Sequence, residues 1–241
     1  MTNLNTIALA GRISTKFART YNGKTQAQFS VAFNRAMKGE DPIWEYLPIT
    51  VESDTTDFKE FDQKRVALSG FISGDYYVPK GSEKEVTSMK IIVKDIRELA
   101  KGEKADSGMT LTSRLSFTKE FGQNGASAQM NVRVRKSEKD EYRYVHIQVS
   151  GSRTNLPDLQ DGEIVTIKGY LTGNPYTPKD SDKEVVAPKF VGMEILEREM
   201  PDASNAPAEQ APAGSETPDT TTAPAQEKPA VEEEDDDNIP F

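Results

Sequence analysis

Cysteine is absent from this sequence of 241 residues, and histidine occurs once. The lack of cysteine excludes a disulfide scaffold, a thiolate zinc site and a cysteine nucleophile, and one histidine cannot supply a multi-histidine metal site. No apolar run approaches the roughly 20 residues that span a bilayer. The first residues lack the basic segment and apolar core of a signal peptide. We therefore expect a soluble, cytoplasmic protein with no cofactor and no metal.

Acidic charge is concentrated at one end of the chain. The formal net charge is −9, yet residues 1–199 hold nearly equal numbers of basic and acidic side chains. Residues 200–241 contain one basic and 11 acidic side chains. An acidic protein is an unusual partner for nucleic acid. Here nucleic acid is not excluded, because the balanced part of the chain can still gather Lys and Arg on one face.

The acidic end has the composition of a disordered segment. Residues 201–229 contain no aromatic residue and no Ile, Leu, Val or Met, so they cannot bury enough apolar area to offset the cost of ordering. We predict a disordered linker over 200–230. An acidic run usually indicates only solvation, but apolar side chains after it indicate that something binds them. The predicted partner-binding tip is 231–241, with Asp235, Asp236, Asp237, Ile239, Pro240 and Phe241.

The remainder of the chain contains an internal repeat. Segments that begin at Trp44, Leu68 and Gly81 match segments that begin at Tyr142, Ile167 and Asp180, in the same order. Three matched blocks at an offset of about 100 residues indicate two copies of one domain. We predict a first domain over 1–100, a polar linker over 101–108 and a second, degenerate domain over 109–199.

Each copy consists of short stretches in which apolar and polar residues alternate, as in half-buried strands. A short capped helix with Phe58 and Phe61 facing inward is expected between the third and fourth strands, and 155–159 fills that place in the second copy. Five strands in this order predict an OB-fold, a small Greek-key barrel. The predicted fold class is all-β, with two tandem OB-folds. A generic five-stranded barrel or sandwich is the alternative.

The alternation predicts which aromatic residues face outward. Leu47, Ile49 and Val51 form the inward set of the third strand, so Trp44 and Tyr46 face away from the core. By the same reasoning Tyr142 and Tyr144 face outward in the second copy. Exposed rings suit base stacking, at roughly 1–3 kcal/mol per base. Packing under a loop or against a subunit is the alternative.

Basic residues accompany these rings. Arg133 and Arg135 lie on the outward face of the second copy's second strand, and Arg35 follows the corresponding strand of the first copy. Cations beside exposed rings are the combination that single-stranded nucleic acid requires. The loops between the fourth and fifth strands add further candidates, because such loops contact ligands in OB-folds. These are Tyr76, Tyr77, Lys80, Lys84 and Tyr176.

Several segments together indicate a family. Asn5-Thr-Ile-Ala-Leu-Ala-Gly11-Arg12 opens the first copy, Phe29-Ser-Val-Ala-Phe-Asn34-Arg35 forms its second strand, and Asp235-Asp-Asp-Asn-Ile-Pro-Phe241 ends the chain. With Tyr21-Asn-Gly23, Trp44, Val66-Ala-Leu-Ser-Gly70 and Tyr77, they resemble the bacterial single-stranded DNA-binding (SSB) proteins. The sequence resembles the members with two OB-folds per chain, which implies a homodimer that presents four OB-folds.

The resemblance also implies roles for individual residues. Trp44 and Tyr77 match base-stacking positions of the family, and Tyr142 and Tyr176 are their partners through the internal repeat only. Arg12 and Arg35 are implied phosphate contacts. The acidic tip is similar to the family's terminal segment, which implies that it recruits replication and repair enzymes.

We therefore expect sequence-independent binding and protection of single-stranded DNA in DNA replication, recombination and repair, at the nucleoid in the cytoplasm. The alternative is an OB-fold adaptor between proteins that does not bind DNA, with its aromatic residues buried at subunit contacts. A nuclease that uses acidic residues with a metal is a third hypothesis. No enzyme is expected, because His146 has no paired nucleophile and a disordered acidic run is not a preformed metal site.

Overall fold

The computed structural model describes residues 2–21, 23–35, 43–78, 83, 86–121, 125–135, 142–177 and 182–200. The described residues form ten strands. The first five strands are β1 (Asn5–Tyr21), β2 (Lys24–Arg35), β3 (Ile43–Ser53), β4 (Arg65–Tyr77) and β5 (Val86–Glu98). The second five are β6 (Gly108–Phe121), β7 (Gly125–Arg135), β8 (Tyr142–Ser152), β9 (Ile164–Tyr176) and β10 (Val185–Glu199). No helix in this part of the chain is long and apolar enough to cross a membrane.

The burial of the strands follows the alternation in the sequence. Phe29, Leu47 and Val51 are fully buried, and the outward residues between them are more exposed. The same holds in the second half, where Met130, Ile147 and Val149 are buried. The predicted inward faces are therefore confirmed, including Phe58, which is 1% exposed.

The strands close into two barrels with the same connectivity. In the first barrel β1 pairs with β2 and β4, β2 pairs with β3, β5 pairs with β4, and a parallel pairing of β3 with β5 closes the ring. The second barrel repeats this order with β6 to β10. This is the strand order of an OB-fold, and the predicted fold class is confirmed.

The segment between the third and fourth strands differs between the barrels. In the first barrel Asp57 caps a 3-10 helix, Phe58–Phe61, because its carboxylate accepts a hydrogen bond from the amide of Lys59. In the second barrel residues 153–158 form turns instead. Pro157 lacks an amide hydrogen and Asp158 has a φ of 50°, which are both unfavourable in a helix. Leu156 still fills the core position and is fully buried.

The two barrels share a β-ladder. β1 pairs antiparallel with β6, with Asn5 opposite Leu111 and Ala8 opposite Gly108. β5, β4, β1, β6, β9 and β10 therefore form one continuous antiparallel surface. The pairing satisfies the free edge that β1 would otherwise present.

The β4–β5 and β9–β10 hairpins, which we call the arms, each reach the opposite barrel. A Cβ added to Gly74 in the first arm would lie 2.4 Å from the Cγ2 of Val145. A Cβ added to Gly173 in the second arm would lie 2.3 Å from the Cε1 of Phe33. Each arm thus packs on inward-facing residues of the other barrel, and glycine allows this close approach.

Candidate nucleic-acid interface

The aromatic residues of β3 lie on the outer face of the first barrel. Trp44 is 66% exposed and Tyr46 is 63% exposed. Trp44 is opposite Asn34 of β2, and Tyr46 is opposite Ala32. Because β2 offers small or polar neighbours, neither ring has an apolar surface to pack on within the sheet. The alternation in the sequence therefore predicted their orientation correctly.

Tyr46 shares a concavity with two arginines. Arg12 of β1 lies opposite Ser30 of β2 on one side and opposite Arg65 of β4 on the other. Arg12, Arg65 and Tyr46 line a concavity of about 440 Å³ on the outer face of the barrel. Arg12 forms no ion pair within the described part of the chain, and the guanidinium of Arg65 donates to the carbonyl of Glu103 at 2.7 Å. The arrangement combines an exposed ring with two positive charges.

The second barrel has a related row on its outer face. Arg114 of β6 lies opposite Asn131 of β7, and Asn131 lies opposite His146 of β8. The neighbouring pair joins Arg133 to Tyr144, which is 47% exposed. Ring and cation are therefore direct cross-strand neighbours, as the sequence predicted for this hairpin.

His146 is held by its neighbour rather than by a catalytic partner. Asn131 donates through Nδ2 to the carbonyl of Arg114 at 3.2 Å and to the hydroxyl of Ser116 at 3.0 Å. Its Oδ1 therefore accepts from His146 Nδ1 at 2.6 Å. Partial burial lowers the pKa of His146, because it disfavours the charged ring. The neutral ring leaves Nε2 as an acceptor.

Arg35 lies apart from the other predicted cations. It follows Phe33 in the inward phase of β2 and forms ion pairs with Glu45 at 3.0 Å and with Glu184 at 2.9 Å. Hydrogen bonds to Glu184 and then to Glu45 raise the pKa of Arg35. Because Glu184 precedes β10, the pair joins the two barrels. The structure does not bring Arg35 to the face that carries Arg12 and Trp44.

The tyrosines of the arms lie near the contact between the barrels. Tyr76 is half-buried, and its hydroxyl donates to the carbonyl of Val134 in β7 at 3.3 Å. Tyr77 and Tyr176 are 51% and 48% exposed and lie opposite Val86 and Val185. Tyr76 is thus engaged with the opposite barrel, whereas Tyr77 and Tyr176 present open ring surface.

A buried ionic cluster lies at the far end of the outer face of β3. Lys90 contacts Glu52 at 2.8 Å and Asp75 at 2.6 Å. Gln26 donates to Glu52 at 2.6 Å, and Lys24 approaches it at 3.2 Å. Burial alone would raise the pKa of Glu52, but the hydrogen bonds from Lys90 and Gln26 lower it below its ordinary value. The Glu52 carboxylate is therefore neutralised locally and adds little repulsion for an anion bound nearby.

The remaining predicted residues fall into two groups. Arg135 and Tyr142 are paired in register at the ends of β7 and β8. Lys80, Lys84 and the tip residues Asp235, Asp236, Asp237, Ile239, Pro240 and Phe241 lie outside the described residues. Among the residues that are described, no group of three or more His, Asp or Glu could hold a metal ion.

Sequence reasoning missed three residues on these faces. Arg114 is the repeat counterpart of Arg12, so the internal repeat could have identified it. Arg65 opens β4 directly after a turn and carries no motif. Phe117, which is 69% exposed, lies in a β-bulge, and alternation of residues does not predict where a bulge occurs.

Comparisons with solved structures bear on this architecture. A deletion mutant of the single-stranded DNA-binding protein from Thermus aquaticus has a TM-score of 0.50 and 16% identity, over 86% of this chain and 98% of its own. The wild-type T. aquaticus protein gives 0.45 and 16%, over 87% and 98%. The Plasmodium falciparum SSB complex with ssDNA gives 0.32 and 18%, over 42% and 98%. No protein-family model and no curated protein matches the sequence.

This chain is a pair of OB-folds. The closed strand order and the likeness to the T. aquaticus deletion mutant agree on this architecture. At 16% identity the likeness concerns the fold alone. The exposed rings and cations that bear on function lie on the outer faces of the two barrels.

Proposed function

We propose that this chain binds single-stranded DNA without sequence preference and protects it during replication, recombination and repair. One observation carries the proposal: Tyr46, Arg12 and Arg65 line one open concavity of the first barrel. Rings stack unpaired bases and guanidinium groups hold phosphates, and neither contact depends on base identity. The T. aquaticus protein with the same fold is named for this ligand. Binding of this kind requires no catalytic group.

Trp44 and Tyr46 form the stacking track of the first barrel. They occupy successive outward positions of β3 and are both about two-thirds exposed. Arg133 with Tyr144, and the open rings of Tyr77 and Tyr176, extend the contact surface in this proposal. Tyr142, Arg135, Lys80 and Lys84 remain predicted DNA contacts, and Arg35 is better placed as a link between the barrels.

The proposed assembly is a homodimer that presents four OB-folds at the nucleoid. Met193 and Leu196 of β10 are 51% and 45% exposed. In the first barrel the position equivalent to Met193 is occupied by Lys94 of β5, which is charged. The second barrel therefore has an apolar face that the first barrel lacks, and such a face supports a contact between copies of the chain. The acidic tip with Ile239, Pro240 and Phe241 would recruit replication and repair enzymes, with the Phe241 ring in an apolar pocket and the carboxylates against basic residues.

Trp44 fluorescence tests the DNA-binding proposal directly, because the chain contains one tryptophan. We expect oligo-dT to quench it strongly as bases stack on the ring. The Trp44→Ala, Tyr46→Ala double variant should lose tenfold or more in affinity, since each base stack is worth roughly 1–3 kcal/mol. Fluorescence anisotropy with labelled oligo-dT gives the affinity.

Tyr170→Ala is the matched control, because Tyr170 is an exposed ring on β9 that lies outside the concavity. This variant should bind oligo-dT like the wild type. Unchanged affinity of the double variant, with the fold intact by circular dichroism, would contradict the proposal.

A protein-binding adaptor is the second candidate function. The exposed Met193 and Leu196 favour it, since apolar side chains gathered on a surface commonly mark a protein contact. An adaptor would show no quenching of Trp44 by oligo-dT. The same titration therefore separates the two functions.

A further inference from the structure

Phe117 combines an unfavourable backbone with an exposed ring. Its φ is 52°, in the left-handed region that bulky residues rarely adopt. Its side chain is 69% exposed. Neither feature stabilises the fold, and strained residues of this kind cluster at ligand sites.

The strained residue is held in place from both sides. Between Ser116 and Lys119, β6 places two residues against one residue of β7, which is a β-bulge. The amide of Thr118 donates to the carboxylate of Asp161 at 2.7 Å. The amide of Leu115 donates to the carbonyl of Glu163 at 2.8 Å, and its carbonyl accepts from Gly162 at 3.0 Å. The loop between β8 and β9 therefore fixes the backbone on either side of Phe117.

The ring borders a concavity that is rich in polar groups. Phe117, Lys119, Gln129, His146 and Gln148 line a space of about 300 Å³ on the outer face of the second barrel. Gln129 and Gln148 lie directly opposite each other on β7 and β8. Within the described residues, neither amide hydrogen-bonds to another protein group, and Lys119 makes no ion pair. The concavity thus offers a stacking surface, two free amides, the Nε2 acceptor of His146 and a positive charge.

These groups match one class of ligand. An unpaired base needs a flat apolar surface on one side and mixed donors and acceptors at its edge. Its phosphate needs a cation, which Lys119 supplies at the rim. An apolar ligand would leave both amides without partners, which is unfavourable.

We propose that the second barrel holds a nucleobase subsite in which an unpaired base of single-stranded DNA stacks on Phe117, with Gln129 and Gln148 at its edge and Lys119 at its phosphate. The inference rests on the proposed function and deepens it, because it assigns a ligand site to the second barrel that depends on neither Tyr142 nor Tyr144.

Phe117→Gly tests the subsite without the risk of misfolding. Glycine adopts a positive φ at no steric cost, so the variant should be at least as stable as the wild type in urea unfolding. We expect its affinity for oligo-dT to fall about tenfold, because one stacked base is lost. Phe117→Tyr keeps a ring and should bind like the wild type. Asp158→Gly is the control for strain relief, since Asp158 also has a positive φ in the same barrel. It should show no loss of affinity.

A relocated reporter gives an independent measurement. In a Trp44→Phe, Phe117→Trp variant, the only tryptophan lies in the concavity, and oligo-dT should quench it. If the wild type binds oligo-dT while Phe117→Gly keeps full affinity and the relocated tryptophan is not quenched, the subsite is wrong and the proposed function stands. If the wild type itself does not bind oligo-dT, both proposals fall.

Discussion

Arg12 and Arg35 have the same charge and different surroundings. Arg12 lines the outer concavity beside Arg65, whereas Arg35 is shared between Glu45 and Glu184. A guanidinium already paired with two carboxylates would have to give up those contacts to hold a phosphate. At the scale of the residue, the phase of the strand therefore decides which cation can serve a ligand.

Lys90 is expected to contribute to the stability of the fold through its buried ion pair. Its ammonium pairs with Glu52, whose side chain is 6% exposed. Lys90→Met removes the buried cation of this pair and leaves the Glu52 carboxylate with Gln26 and the more exposed Lys24. We expect the free energy of unfolding to fall by about 3 kcal/mol at pH 7. Lys94→Met on the same strand, where the ammonium lies 5.5 Å from the Phe71 ring centroid, should cost less than about 1 kcal/mol. Urea unfolding measures both changes.

The pH dependence of the same cluster follows from the pKa directions. The pKa of Glu52 is lowered on folding, so its contribution is complete above the ordinary value of about 4.3 and is lost as pH falls through the folded value. Burial would lower the pKa of Lys90, but Asp75 and Glu52 raise it, so its contribution is lost only as pH rises above about 10.4. In Lys90→Met, the pKa of Glu52 loses the lowering effect of Lys90 and keeps only the contributions of Gln26 and Lys24 against burial. The stability of the variant should therefore begin to decline at a higher pH than that of the wild type. If the stability of the wild type and that of Lys90→Met declined over the same acidic pH range in urea unfolding, this explanation would be contradicted.

At the scale of the element, alternation predicted the inward faces of β1 to β4 and of β7 and β8, whereas the other second-barrel strands followed from the internal repeat. It did so because a period of two maps directly onto the two faces of a sheet. It could not predict that Arg35 would meet Glu184 or that β1 would pair with β6, because these contacts depend on how two barrels dock. Alternation also could not predict the β-bulge at Phe117. The extra residue reverses which side chains face inward, and nothing in the sequence marks where this happens.

The close packing of the second arm against Phe33 is expected to make Gly173 important for stability. A Cβ on Gly173 would lie 2.3 Å from the Phe33 ring, so Gly173→Ala should force the arm away from the opposite barrel and destabilise the protein by about 1–3 kcal/mol. Gly108→Ala is the control, because a Cβ there meets nothing closer than the carbonyl of Gly169 at 3.7 Å. Guanidinium unfolding compares the two variants. Equal stability of both would show that the arm does not press on Phe33.

At the scale of the whole molecule, contacts of several kinds join the barrels within the described residues. They include the β1–β6 ladder, the two arms and the Arg35–Glu184 pair. Each barrel completes part of the other's packing, so neither can unfold without exposing inward residues of its partner. We therefore expect the two OB-folds to unfold as one cooperative unit.

Calorimetry of the full chain tests this cooperativity. We expect a single transition with an enthalpy of about 0.7 kcal/mol per residue summed over both barrels, and a van't Hoff enthalpy close to the calorimetric one. Independent barrels would give two resolved transitions, or a van't Hoff enthalpy near half the calorimetric value. A series of protein concentrations separates this intramolecular coupling from dimer dissociation, because only dissociation makes the midpoint depend on concentration. If the proposed function is correct, this coupling favours binding, since ring-bearing faces held at one fixed separation would engage a single strand together without an additional ordering cost.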